Sequence, residues 1–177
     1  MDEKEKFLYE QAIKGREHHQ NNFYHWMNMY AIFNGALFVG YYNINDKNTF
    51  FSLIILLLGC AAGWAWAFSA IGFYDWIISW INVVKKHEAK IGGVVYRAYY
   101  SKHTISTQKL TKLFTKLVAL AWTVLTSYSI GTITAKAISI PEYTCCLMLI
   151  TFILILVLAL IVYISCLESK FIIKKIE

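Results

Sequence analysis

Apolar positions fall into four long blocks along the chain. A helix needs about 20 mostly apolar residues to cross the hydrocarbon layer. The first block, from about Phe23 to Tyr42, is the weakest, because Asn28 and Asn34 interrupt it. The second, Thr49 to about Ile71, contains LIILLLGCAAGWAWAF. The third, about Leu117 to Ala135, is rich in Thr and Ser. The fourth, Thr144 to about Cys166, contains MLITFILILVLALIVYI and no charge, which makes it the surest span.

The second helix is expected to continue past the membrane surface. Phe73, Trp76, Ile77, Trp80, Ile81 and Val84 recur at the spacing of one helical face. Asp75, Ser79, Asn82 and Lys86 form the opposite, polar stripe. No proline lies between Thr49 and Lys90, and Gly92 and Gly93 mark the expected end. A second amphipathic piece, about Val94 to Thr104, leads into the basic approach to the third span. The single proline, Pro141, sits in the short turn before the fourth span, where helix breaking is harmless.

Charge sets the orientation. Four of the 17 basic residues lie before the first span, eight between the second and third, and three after the fourth. Only Lys47 and Lys136 occupy the two other connections. Basic residues near span ends mark the cytoplasmic side, and an even number of spans puts all three basic segments on one face. The expected fold is therefore all-α, a single membrane domain over residues 1–177 with both termini cytoplasmic. Its spans are about 23–42, 49–71, 117–135 and 144–166, with a cytoplasmic helical section at about 72–116. Composition agrees: 58% of residues are hydrophobic and 16% charged, against about 45–50% and about 25% in soluble domains. A mean hydropathy of +0.47 points the same way. The charged opening MDEKEKFLYEQAIKGRE has no early apolar core and does not read as a cleaved signal peptide.

Candidate chemistry is sparse. Cys60, Cys145, Cys146 and Cys166 all lie in apolar runs and read as structural. Gly59 and Gly63 form a GxxxG pair that lets helix backbones approach closely, within one subunit or between subunits. Thr123, Ser127 and Thr134 share one face of the third span. With Asn28 and Asn34, they either bind helices together or line a wet path. His18, His19 and His25 surround the start of the first span; adjacent histidines point apart on a helix, so they read as a polar interfacial face and no metal site is expected. Arg97 and His103 have the arginine-to-histidine spacing of the helical ribonuclease domains called HEPN. There, guanidinium can grip phosphate and imidazole can move protons. Yet Ala98 replaces the polar residue usual after that arginine. Six residues also turn an ideal helix to a net angle of about 240°, so the pair shares no single face. The expectation is a protein that is not an enzyme.

The run KFLYEQAIKGREHHQNNFYHWMNMYAIFNGALFVGYY and the segment RAYYSKH, on a four-span chain with a basic middle, resemble the small membrane accessory proteins of type VI-B CRISPR–Cas systems. The resemblance covers essentially the whole chain. It implies a bacterial inner-membrane protein that forms an octameric pore and helps depolarise the membrane once an RNA-guided ribonuclease is active. Its divergent HEPN-like pair maps onto Arg97 and His103. The implied partners are the lipid bilayer, further copies of the chain and, functionally, the RNA-guided ribonuclease. Direct RNA binding stays open, as do a membrane-tethered ribonuclease and a passive membrane adaptor. No cofactor is implied.

Overall fold

The computed structural model describes residues 3–44, 48–93, 106–138 and 143–165, and these are almost entirely helical. The helices are α1 (Glu3–Ile44), α2 (Thr49–Lys90), α3 (Thr107–Ile138) and α4 (Thr144–Ser165). Each packs against its neighbour in sequence, α1 on α2, α2 on α3 and α3 on α4. Consecutive helices run antiparallel, so the start of α1, the end of α2, the start of α3 and the end of α4 gather at one end of the bundle.

Three helices are long and apolar enough to cross a membrane, namely α2, α3 and α4. The four helices expected from the sequence are present, and α1 falls below the other three in length of apolar run because polar residues interrupt it. Its depth is instead set by packing. α1 and α2 are 42 residues each, or about 63 Å, roughly twice the hydrocarbon thickness of about 30 Å. They touch along their whole length. Glu5 meets Lys90 and His87 at one end, Gly15 lies under the Trp80 ring, and Gly40 faces Ile55 at the other end. Wherever α2 lies in the bilayer, the second half of α1 lies beside it.

The long α2 predicted from sequence is present, and its apolar stripe has a definite partner. Ile77 and Val84 are buried, Phe73 packs with Phe23 of α1, and Trp76 and Trp80 stack on His19. The charged first half of α1 thus forms the cover for the projecting half of α2. The helix ends at Lys90 as expected from its glycines. Gly92 adopts φ +78°, the left-handed conformation a side chain disfavours. The Gly93 N–H then reaches back to the Glu88 carbonyl at 3.1 Å, closing a Schellman-type cap. At its start, Asn48 caps α2 by accepting from the N–H groups of Phe50 and Phe51.

The α2–α3 contact is the tightest crossing. A Cβ on Gly59 would stand 2.5 Å from the Trp122 ring, and one on Gly63 would stand 3.0 Å from the Ala119 Cα. Both glycines therefore serve packing within one subunit. Gly131 similarly admits Met148 where α3 meets α4. Only Ala159 of α4 is fully buried, and the exposed positions of that helix are dominated by Leu, Ile and Val.

Two predictions follow from this packing. Gly59→Ala should lower thermal stability in detergent by about 1–3 kcal/mol, because the fully buried Trp122 has nowhere to move. Gly72→Ala, where nothing lies within 4 Å of the new Cβ, should instead gain up to about 1 kcal/mol from helix propensity. The second concerns the clasp at the projecting tip, where Glu5 accepts from Lys90 at 2.6 Å and meets His87 at 3.0 Å. Its carboxyl is held below the usual value of 4.5, chiefly by Lys90 and then by His87. The clasp therefore contributes stability above that ordinary value and loses it as pH falls through the lowered one. Hydrogen-exchange protection in the first turns of α1 should drop across that acidic range. In Glu5→Gln it should already be reduced at neutral pH and change less on acidification.

Candidate functional site

The polar residues of the membrane-level helices divide into an inward set and an outward set. Trp122 of α3 organises the inward set. Its ring stacks on Phe38 of α1 with centroids 4.0 Å apart, lies over Gly59 of α2, and is fully buried. Its indole N–H donates to the Asn34 amide oxygen at 3.0 Å. The Asn34 amide nitrogen donates to the Tyr30 carbonyl at 2.9 Å. Three helices thus meet on one indole, and the amide that interrupts the first apolar block is bonded at both its oxygen and its nitrogen.

The hydroxyls of α3 belong to the same inward set. Thr123 donates to the Ala119 carbonyl and accepts from the Trp64 indole N–H at 3.1 Å. Ser127 donates to the Thr123 carbonyl, and Thr126 reaches the Leu56 carbonyl of α2. All three are buried. Of the five sequence candidates for a wet lining, Asn34, Thr123 and Ser127 thus sit within the subunit. Thr134 is half-buried further along α3, and Asn28 is exposed.

The outward set lies on α1, on the face turned away from α2. Lys14, His18, Asn21, His25, Asn28, Ile32, Gly35 and Val39 are all exposed and recur at alternating spacings of three and four. The first five are polar. Sequence reasoning singles out His25 and Asn28 separately, as an interfacial face and as a lining candidate, and the structure puts them on one stripe. It misses Trp122, because its partners Asn34 and Gly59 are remote in sequence. Of the histidines, His19 is held between α1 and α2 by Trp76 and Trp80, while His18 pairs with Asn22 at 3.0 Å. Among the described residues no cluster of histidine, cysteine or carboxylate could hold a metal. Cys60 is buried beside Thr123, and Cys145 and Cys146 are exposed on α4. Arg97, His103 and Cys166 lie outside the described residues.

Three helices long and apolar enough to cross a membrane, with a fourth packed along the second, define an all-helical membrane protein. The comparison with protein families agrees. Residues 6–133 match the octameric membrane protein family (8xMP), and the chain belongs to that family. It is accordingly a membrane protein of octameric type, and its partners include further copies of itself. No curated protein and no solved structure matches the chain.

Asn34→Leu tests the inward set. It leaves the buried Trp122 N–H without its acceptor, a loss of about 1–3 kcal/mol. Thermal unfolding in detergent should shift down accordingly. Adding Trp122→Phe, which removes the orphaned donor, should recover part of the loss.

Proposed function

We propose that the octamer is a membrane pore lined by the outward face of α1, and that it perturbs membrane potential in antiviral defence linked to an RNA-guided ribonuclease. The observation that carries this reading is the polarity of α1 at membrane depth. The second half of α1 packs beside the apolar half of α2, yet His25 and Asn28 are exposed on its far side. Uncompensated amides and imidazoles are costly against hydrocarbon. In a ring of copies they find water in a lumen or partners on neighbouring chains. α4, with one buried residue, and the outer faces of α2 and α3 then meet lipid.

Orientation follows from charge. Both described ends of the chain lie at the end of the bundle that carries the basic segments, so the positive-inside rule makes that end cytoplasmic; the bacterial inner membrane is what the resemblance to type VI-B accessory proteins implies. The projecting halves of α1 and α2, with the start of α3, form the cytoplasmic section. The link to defence rests on the resemblance to type VI-B accessory proteins. In this reading Arg97 and His103 belong to the cytoplasmic mouth and do not cut RNA. The tethered ribonuclease is the alternative that their spacing favours.

Vesicles containing the purified protein should pass ions. The double substitution His25→Leu, Asn28→Leu should strongly reduce that flux while preserving oligomer size. Thr123→Val, inside the subunit, should affect stability more than flux. Purified protein should leave labelled single-stranded RNA intact. RNA cleavage that disappears in His103→Ala, with no effect on membrane potential in cells carrying the active RNA-guided ribonuclease, would establish the tethered nuclease instead.

A further inference from the structure

The charge along α1 and the number of subunits together bear on what the octamer lets through. Between Glu17 and Asp46 the chain carries no lysine, arginine, aspartate or glutamate. From His18 to Ile44 the helix runs for about 39 Å, more than the hydrocarbon thickness of about 30 Å. Asn34 of α1 and Gly59 of α2 meet on the same indole, Trp122. That junction sets the uncharged stretch level with the middle of the apolar block 49–71 of α2. The outward face passes from His25 and Asn28 through Ile32, Gly35 and Val39 to Asn43, all of them exposed. Ile32 is 71% exposed, and nothing lies within 4 Å of a Cβ built on Gly35. The subunit therefore leaves this face uncovered at mid-depth.

Resting on the reading of α1 as the pore lining, we infer that the octamer is a wide passage without charge selection. It passes hydrated ions of either sign and organic solutes the size of a small dye. Width follows from the octameric family. Eight helices in a closed ring, about 8–10 Å between axes, place those axes on a circle about 21–26 Å across. Subtracting one helix diameter of about 10–12 Å leaves a bore of roughly 10–15 Å. This is a minimum, because any part of α2, α3 or α4 set between neighbouring α1 helices widens the circle. Absence of selection follows from the side chains. Channels choose charge with rings of ionised groups and choose among ions by close coordination. Through the membrane α1 offers no ionised ring, and amides spread around so wide a bore cannot enclose one ion. At the projecting mouth Glu10, Lys14 and Glu17 are all exposed, so both signs are present there too.

The test uses the full chain, assembled as an octamer in vesicles of neutral lipid. A potassium chloride gradient is applied at mildly alkaline pH, where imidazole is ordinarily neutral. The reversal potential should give a chloride-to-potassium permeability ratio within about twofold of one. Carboxyfluorescein trapped in the same vesicles should escape, while a dextran much larger than the bore stays inside. Asn28→Asp, which sets one carboxylate per subunit on the outward face, should favour potassium over chloride by about tenfold at unchanged octamer size. Asn43→Asp repeats that measurement at the other end of the face should the first variant fail to assemble. Ions that pass with a wild-type ratio beyond about tenfold, or that pass while carboxyfluorescein is retained, overturn the inference and leave the pore standing. An octamer that passes neither ions nor dye overturns the pore and the inference with it. A wild-type ratio near one that neither aspartate variant moves overturns α1 as the lining.

Discussion

The bundle depends on one buried indole. Trp122 brings α1, α2 and α3 to a common point, and each helix supplies a different part of its surroundings. α1 gives a stacking ring, Phe38, and an acceptor, Asn34. α2 gives the absence of a side chain at Gly59. In lipid, where apolar attraction between helices is weak, such shape fit and hydrogen bonding carry helix association. Removing any one part leaves either an empty volume or an orphaned N–H. This also explains why so polar a residue as Asn34 stands in a membrane-level helix.

The same junction fixes α1 at membrane depth, and that has consequences for the assembly. α2, α3 and α4 can meet lipid on their outer faces, since Leu, Ile, Val and Phe dominate there. α1 cannot do so along its whole outer face. Its membership of an octameric family eases the difficulty, because contacts between subunits shelter polar surface from hydrocarbon. Polarity on one helix and greasiness on another therefore sort the faces of the subunit before any neighbour is present.

The helices were legible where hydropathy or periodicity is strong. The α4 run, the extension of α2 through Val84 and its termination at Gly92 could all be read directly, because each rests on local chemistry. The extent of α1 could not. Residues 3–22 are charged and have no apolar stripe of their own strong enough to announce a helix. They are helical beside Trp76, Trp80, His87 and Lys90, and those contacts join residues 57 to 85 positions apart. The candidate site split along the same line. Asn34, Thr123 and Ser127 looked equivalent to Asn28 in sequence, since amides and hydroxyls in an apolar run carry no mark of which way they face. Only the position of Trp122 and Trp64 distinguishes those that are bonded inside from the one that faces out. For Gly59 and Gly63, small-residue spacing was clear, whereas the identity of the approaching helix was a question of tertiary geometry.

The unbroken pairing of α1 with α2 makes each subunit a lever. No proline interrupts either helix, and the Glu5 clasp ties their tips together outside the bilayer. A rigid rod about 63 Å long that tilts by about 10° around its middle moves each end by about 5 Å. Force applied at the projecting tip is thus delivered to residues on the far side of the membrane without passing through a flexible joint. In an octamer of such subunits, a modest displacement of the projecting tips would shift the opposite ends of all the rods by a comparable amount.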